Sequence, residues 1–195
     1  MQLQQRPQNE AKEHKLLPAK TMTAYLLAII DFGTQPWSAQ YPDPKRKICF
    51  YFEFPTETIE YNWEMKPMVS NTIMNKLAWT EEKPSNLRNL LSSMTGKAMK
   101  DNVLYSFKME DLIWLPYTVS IKHDTSKDWR VYANISSVSP AMEWIVIPPL
   151  QWKTFIFDMD KSLDNFEAMP KWMQDKVSAS PEYKNFNSTI NDLPF

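Results

Sequence analysis

The stretch KICFYFEF, residues 47–54, has the most regular pattern in this chain of 195 residues. Apolar side chains alternate with others at every position, which is the period of a β-strand with one buried face. The two sets are Ile48, Phe50, Phe52 and Phe54 on one face, and Lys47, Cys49, Tyr51 and Glu53 on the other. We expect the first set to face a core and the second set to lie on an open face, where it presents a cation and a phenol.

Strand patterns also precede and follow this stretch. Residues 21–31 are rich in aromatic and β-branched side chains, and residues 68–77 have a weaker pattern of the same kind. Residues 56–66 are mostly polar, with Tyr61 and Trp63 among them, and they are predicted to form a loop. The first half of the chain therefore predicts three strands.

A helix is predicted after the third strand. Ser85 can cap its first turn and Gly96 suits its C-terminal end. The apolar residues at helical spacing between these two are Leu87, Leu90, Leu91 and Met94. Residues 107–113 are predicted to add a short helical turn.

Two more strands, residues 115–123 and 130–138, are predicted after the helix, with a polar turn at 124–128 between them. The order is thus three strands, one helix and two strands. That order is typical of the OB-fold, a mainly β, five-stranded Greek-key barrel with a helix inserted between the third and fourth strands. We therefore predict an OB-fold domain over residues 20–147.

Segments of different composition flank the predicted barrel. Residues 1–19 are polar and are predicted to be a flexible N-terminal arm. Residues 148–189 begin at a Pro-Pro pair and are predicted to be a Pro-rich extension. It contains an extended segment at 154–158, a short helix at 169–177 and a linker at 178–189. Residues 190–195 then form a C-terminal tip.

The composition argues against several classes of function. Two glycines are too few for a Gly-rich phosphate loop, and one cysteine with two distant histidines gives no metal-ligand spacing. Asp158 and Asp160 form an acidic pair without a third ligand at a recognisable spacing, so we expect no metal and no cofactor. Because no catalytic motif is visible, we expect that the protein is not an enzyme.

Charge and targeting signals bear on the cellular location of the protein and on the ligands it can bind. Neither a membrane span nor a secretory signal is visible, and a single cysteine suits a reducing cytosol. The net charge is −1, which is modest for a nucleic-acid binder. However, eight Trp, eight Tyr and ten Phe indicate either a tight core or surfaces for stacking.

Aromatic and cationic residues occur together on the predicted strands and in their loops. Single-stranded DNA offers a phosphate charge and an exposed base at every nucleotide, so a binder without sequence preference needs cations with aromatic rings between them. The DNA-binding candidates are Trp37, Tyr41, Lys45, Arg46, Lys47, Tyr51, Lys122, Trp129, Arg130 and Tyr132. Trp129 is the strongest stacking candidate because an apolar ring in a polar turn is costly unless it is used. We expect Tyr51, Trp129 and the run 45–47 to line one trough.

Each candidate also has a plainer structural alternative. Trp37 and Tyr41 can cover an end of the barrel, and the basic run 45–47 can be a solvated edge that discourages strand pairing. Tyr51 can pack under the C-terminal extension. Three other tryptophans lie in apolar or Pro-rich contexts and are expected to be structural: Trp114, Trp144 and Trp152. Two have no assigned role, Trp63 and Trp79.

The chain ends in Asp192, Leu193, Pro194 and Phe195, which make a compact peptide ligand. The Phe ring can fill an apolar pocket, the carboxylates can meet Arg or Lys, and the proline reduces the entropy lost on docking. This end resembles the tip of bacterial single-stranded DNA-binding proteins, which implies recruitment of replication and recombination proteins. It has only one acidic residue and no Gly/Gln-rich linker before it. The alternative is a frayed terminus.

Four longer segments, in order, resemble a phage-encoded single-stranded DNA-binding protein family. They are YLLAIIDFGTQ (25–35), SNLRNLL with GK (85–91 and 96–97), YANISSVSP (132–140), and MPKWMQDKV with SPEY (169–177 and 180–183). The resemblance implies an OB-fold that coats single-stranded DNA during phage replication or recombination in the cytoplasm of the bacterial host. The resemblance does not decide whether the protein forms a homo-oligomer. The alternative function is a protein-interaction or virion structural module that uses the same small barrel.

Overall fold

The computed structural model describes residues 15–36, 43–77, 80–142 and 146–191, with side chains as far as residue 186. The strands are β1 (Thr21–Gln35), β2 (Lys45–Tyr61), β3 (Glu64–Asn75), β4 (Pro116–Thr125), β5 (Val131–Pro140) and β6 (Phe155–Phe157). The helices are α1 (Asn86–Thr95), α2 (Asp101–Ser106), α3 (Lys171–Ala179) and α4 (Pro181–Asn191), with 3-10 turns at Met109–Leu112 and Phe166–Ala168. None of the helices described here is both long and apolar enough to cross a membrane.

The strands form one mainly antiparallel sheet in the order β3-β2-β1-β4-β5, and β6 pairs in parallel with the middle of β1. The central strand is β1, which pairs with β2 on one side and, from Thr21 to Tyr25, with β4 on the other. Within the described residues no hydrogen-bonded ladder joins β3 to β5, so the sheet is not closed. The prediction of a mainly β protein with few helices is confirmed.

One face of the sheet packs against α1 to form the main core. The alternating apolar set of β2, from Ile48 to Phe54, is at most 3% exposed, as predicted. In α1, Leu87, Leu91 and Met94 reach the same core. The helix limits are also confirmed, because the Ser85 side chain accepts a hydrogen bond from the N–H of Arg88 at 3.2 Å and Gly96 ends the helix with a φ of 66°.

The opposite face of β1 and β2 is covered by the C-terminal part of the chain. Phe157 of β6 and Met173 and Val177 of α3 pack there against Ile30 and Cys49 in a second core. Cys49 and Glu53 are 0% exposed, so the expectation of an open face on β2 is wrong. The physical reason lies in β1, which is buried at every position from Leu26 to Gly33, as in a strand with layers on both faces.

The segment predicted to be a loop at 56–66 is the distal part of a hairpin. β2 and β3 pair there from Thr58 opposite Pro67 to Tyr61 opposite Glu64, across a turn at Asn62 and Trp63. Both turn residues have positive φ, 51° and 66°, which is the signature of a type I′ turn. The prediction failed because that turn is usually recognised by a glycine at its second position, where this chain has Trp63.

The segment predicted to be a linker at 178–189 is largely the helix α4. The Ser180 hydroxyl accepts a hydrogen bond from the N–H of Tyr183 at 3.2 Å, and Pro181 is the first helical residue. Serine as N-cap followed by proline is a start signal that the sequence contains. The helix is tied to the end of β1 because the N–H of Thr34 donates to Glu182 Oε2 at 2.9 Å and its hydroxyl donates to Oε1.

Glu182 makes the stability of this contact depend on pH. Burial alone would raise the pKa of its carboxyl, but the hydrogen bonds from Thr34 outweigh it and hold the pKa below its ordinary value. A lowered pKa contributes stability above the unfolded-state pKa, and this contribution is lost as the pH falls through the folded-state pKa. We therefore expect Glu182→Gln to be less stable than the unmodified protein at neutral pH. At about pH 3 the difference between their free energies of unfolding should be smaller. Urea unfolding at both pH values checks this; an equal difference at both would contradict it.

Candidate nucleic-acid interface

The turn between β4 and β5 is a five-residue loop closed by Ser126. The N–H of Ser126 donates to the carbonyl of Arg130 at 2.9 Å, and the N–H of Trp129 donates to the carbonyl of Ser126 at 3.0 Å. The Ser126 hydroxyl in turn accepts from the N–H of Arg130 at 3.2 Å. The loop backbone is thus held by three hydrogen bonds, one of which is donated by the N–H of Trp129.

Trp129 projects into solvent from this loop. Its side chain is 87% exposed and its φ is 62°, in the left-handed region. A bulky residue there costs about 1–2 kcal/mol relative to glycine, and exposing an indole forgoes the free energy of burying it. Trp63 and Trp114 share this combination of exposure and positive φ, so the strain alone does not distinguish Trp129 from them. The immediate neighbours of Trp129 are the exposed Asp128 and Arg130. The exposed Lys127 precedes Asp128, so the loop carries two cations and one carboxylate.

Tyr132 and Lys122 lie on the two strands beside the loop. Tyr132 is 46% exposed and pairs across the ladder with Asp124. Asp124 accepts a hydrogen bond from Asn134 at 2.8 Å and pairs with Lys122 at 3.3 Å, and both contacts lower the pKa of its carboxyl. The charge of Lys122 is therefore partly offset, so Lys127 and Arg130 provide the cationic character of this hairpin.

The basic run 45–47 has a different environment from the one expected. Arg46 Nε lies 3.0 Å from Asp31 Oδ2, and its Nη2 lies 2.8 Å from Asp160 Oδ1. Lys47 is 8% exposed and donates to Asn75 at 2.8 Å, and burial lowers the pKa of its ammonium. The prediction of a run of three open cations is wrong for Arg46 and Lys47, because the carboxylate of Asp31 and the amide of Asn75 hold them against the sheet.

The carboxylates around Arg46 form a cluster that the sequence did not reveal. Asp31 joins Asp158 and Asp160, with oxygens within 4.8 Å of one another. Lys76 Nζ lies 2.9 Å from Asp31 and 3.5 Å from each of the other two. Lys161 Nζ also lies 3.8 Å from Asp158, so three cations already face these three carboxylates, and a metal ion would have to displace them. This cluster is an ion-pair network that joins β1, β2 and the C-terminal layer.

Tyr51 lies beneath the C-terminal layer and not on an open face. Burial raises the pKa of its phenol to about 12, so the phenol is neutral at physiological pH. It packs at the edge of the second core and lines a cavity between the sheet and residues 152–155. The alternative of packing under the extension describes Tyr51 better than the open stacking position does.

The described candidates fall into two separate groups along β1. The basic run begins opposite Gln35, at the end of the strand, whereas the Trp129 hairpin extends past Thr21, at its start. Fifteen residues of strand at about 3.3 Å each make roughly 50 Å between these ends, although bulges near Leu26 and Asp31 bend the strand. The expected single open trough is not what the structure shows. Trp37, Tyr41 and the tip from Asp192 through Leu193 and Pro194 to Phe195 lie outside the described residues.

Four exposed tryptophans escaped the sequence analysis as surface features, and one of them is Trp172 of α3, which is 39% exposed. Trp63 is 94% exposed at the tip of the β2–β3 hairpin, Trp114 is 66% exposed before β4, and Trp152 is 44% exposed beside Tyr51. Trp63 and Trp114 share the positive φ of Trp129, with values of 66° and 76°. The polar neighbours of Trp63, as in the case of Trp129, were the signal that could have identified it as exposed.

Comparison with known proteins gives no assignment: no family model, no curated protein and no solved structure matches this chain. The site therefore has to be interpreted from its own geometry.

Proposed function

We propose that this protein binds single-stranded DNA without strong sequence preference, with the β4–β5 hairpin as its main contact. The observation that carries the proposal is Trp129, an exposed ring fixed in the left-handed region. Its loop exposes Lys127 and Arg130 against the single carboxylate of Asp128. A base can stack on the indole while the two cations attract the flanking phosphates. Tyr132 supplies a second exposed ring close by.

We further propose that the sheet is an open form of the OB-fold. Support comes from the strand order β3-β2-β1-β4-β5, and from the position of α1, which follows β3 in the chain and packs against β3 and β5, the two edges that would close a barrel. OB-folds commonly bind nucleic acid with the loop between strands four and five, which in this chain is the Trp129 loop. The proposed setting is the one that the sequence resemblance implies, phage DNA replication or recombination in the bacterial cytoplasm, with the C-terminal tip recruiting partner proteins.

Replacing Trp129 is the direct test. We expect Trp129→Ala and Trp129→Gly both to weaken binding to oligo-dT by roughly 5- to 150-fold, because one stacked base contributes about 1–3 kcal/mol. The glycine variant should also be more stable than the alanine variant, by about 1 kcal/mol, since glycine adopts a positive φ without strain. Binding is measured by fluorescence anisotropy at two salt concentrations, and stability is measured by urea unfolding.

A matched control is Trp114→Ala, which removes another exposed tryptophan with positive φ outside the hairpin. It should leave affinity unchanged. If the unmodified protein gives no anisotropy change and no gel shift at low salt, the DNA-binding proposal fails. If it binds but Trp129→Ala binds equally well, the hairpin is not the contact.

One observation favours the alternative, a protein-interaction module. The β2–β3 tip exposes Tyr61, Trp63 and Met65. Beside them lies the negative charge of Glu60, which repels phosphates, whereas Glu64 is paired with Lys66. An apolar patch with an acidic neighbour suits a basic protein surface better than DNA. Absence of oligonucleotide binding, together with loss of a co-purifying protein in Trp63→Ala, would favour this function.

A further inference from the structure

A cavity of about 270 Å³ lies between the outer face of the sheet and the C-terminal layer. One residue from each of three adjacent strands forms its floor: Leu27, Tyr51 and Val69. Two segments of the C-terminal layer form its walls: Trp152, Lys153 and Phe155, and Ala168, Met169 and Pro170. The volume is just below the roughly 300–1,000 Å³ of sites for drug-sized ligands. The cavity therefore suits one planar ring system.

Two polar groups at this otherwise apolar cavity have no partner in the described part of the chain. The Tyr51 hydroxyl makes no hydrogen bond there, and the exposed Lys153 makes no ion pair. A neutral phenol can donate to a carbonyl or ring nitrogen of a bound base. An ammonium at the mouth can meet a phosphate beside that base.

The wall that carries Trp152 is fixed by a buried carboxylate. Glu53 is 0% exposed, and its two oxygens accept hydrogen bonds from the N–H groups of Gln151 at 2.9 Å and Trp152 at 3.1 Å. Burying a carboxylate is costly unless such bonds satisfy it. The bonds place the backbone of 151–152 over β2 and so set the positions of Trp152 and Lys153 at the cavity.

We propose that this cavity holds one base of the bound single strand, stacked against Trp152 and hydrogen-bonded by Tyr51, with Lys153 on the adjoining phosphate. The inference rests on the proposed function and adds to it a second, separate contact. Its place along the sheet is consistent with this, because Tyr51 pairs with Ala28 in the middle of β1, and the Trp129 hairpin extends beyond the start of the same strand.

The test compares oligo-dT with an abasic deoxyribose-phosphate oligomer of equal length. We expect Trp152→Ala to weaken oligo-dT binding by roughly 5- to 150-fold and to leave binding of the abasic oligomer unchanged, because only the base contact is removed. Tyr51→Phe should weaken oligo-dT binding by about two- to ten-fold through loss of one hydrogen bond. Lys153→Gln should weaken both oligomers and reduce the salt slope by about 1.

Trp114→Ala is the control for these variants and should bind both oligomers as the unmodified protein does. If the urea unfolding curve shows that Trp152→Ala disturbs folding, Tyr51→Phe and Lys153→Gln test the proposal in its place. Oligo-dT binding that is strong in the unmodified protein and equal in all three cavity variants would overturn this inference and leave the proposed function standing. No oligo-dT binding by the unmodified protein would overturn both.

Discussion

Replacing Asp31 with alanine is expected to lower the free energy of unfolding by about 3–5 kcal/mol. Asp31 is 2% exposed, and it accepts hydrogen bonds from Arg46, from Lys76 at 2.9 Å and from the N–H of Gly33 at 3.0 Å. Removing its carboxylate takes away the buried acceptor that Arg46 and Lys76 share. These half-buried cations then keep only Asp158 and Asp160, which are more exposed. Urea unfolding of the purified variant measures the loss.

Asp160→Ala is the matched control for this substitution. Asp160 also pairs with Arg46, at 2.8 Å, but its side chain is 60% exposed, so its loss should cost no more than about 1 kcal/mol. A loss below about 1 kcal/mol for Asp31→Ala as well would show that the buried network contributes little net stability, as some buried ion pairs do. The network also joins the sheet to Asp158 and Asp160, so Asp31→Ala should loosen the C-terminal layer and expose it to proteolysis.

Gly33→Ala is expected to destabilise the protein by about 2–4 kcal/mol. Gly33 has a φ of 67°, and a Cβ there would lie 2.6 Å from Met159 Cε and 2.7 Å from Ser180 Cβ and Oγ. The left-handed backbone costs alanine about 1–2 kcal/mol, and the overlap adds a similar amount. Because Ser180 joins α3 to α4, the strain should fall on the docking of these helices. Urea unfolding and limited proteolysis report the two effects.

Gly96→Ala measures the cost of the left-handed backbone for alanine without the steric overlap of the added Cβ. Gly96 has nearly the same φ, 66°, but its Cβ would meet only Pro140 Cγ at an ordinary 3.6 Å. This variant should lose only about 1–2 kcal/mol. If the two glycine variants lose equal stability, the close approach between β1 and the α3–α4 junction does not contribute.

Local signals in the sequence predicted most of the elements that form the main core. Alternation over Ile48 to Phe54 and the capping residues Ser85 and Gly96 act within a few residues of chain, and the structure confirms them. The loop prediction for residues 56–66 failed because a tight turn is usually recognised by its glycine, and this protein has Trp63 where glycine is usual. Trp129 likewise has a positive φ, at a position where glycine is usual.

The elements of the second layer were predicted, as an extended segment at 154–158 and a short helix at 169–177. Their packing on β2 could not be predicted, because the partners are far apart in sequence. Cys49, Tyr51 and Glu53 resemble an open strand face until the residues that cover them, such as Phe157 and Met173, are known. Glu53 looked like a solvated carboxylate, yet it is satisfied by two backbone N–H groups almost a hundred positions later. The cavity beside Tyr51 depends on this layer, so no local pattern indicated it.

Cys49, the protein's single cysteine, lies wholly beneath that layer, and burial raises the pKa of its thiol, which keeps it in the unreactive protonated form. A thiol reagent can therefore reach it only during a transient lifting of the covering helices. The labelling rate divided by the rate for a free cysteine then equals the equilibrium constant for that lifting, provided that closing outpaces reaction. The chain thus carries its own reporter of how often its two layers part.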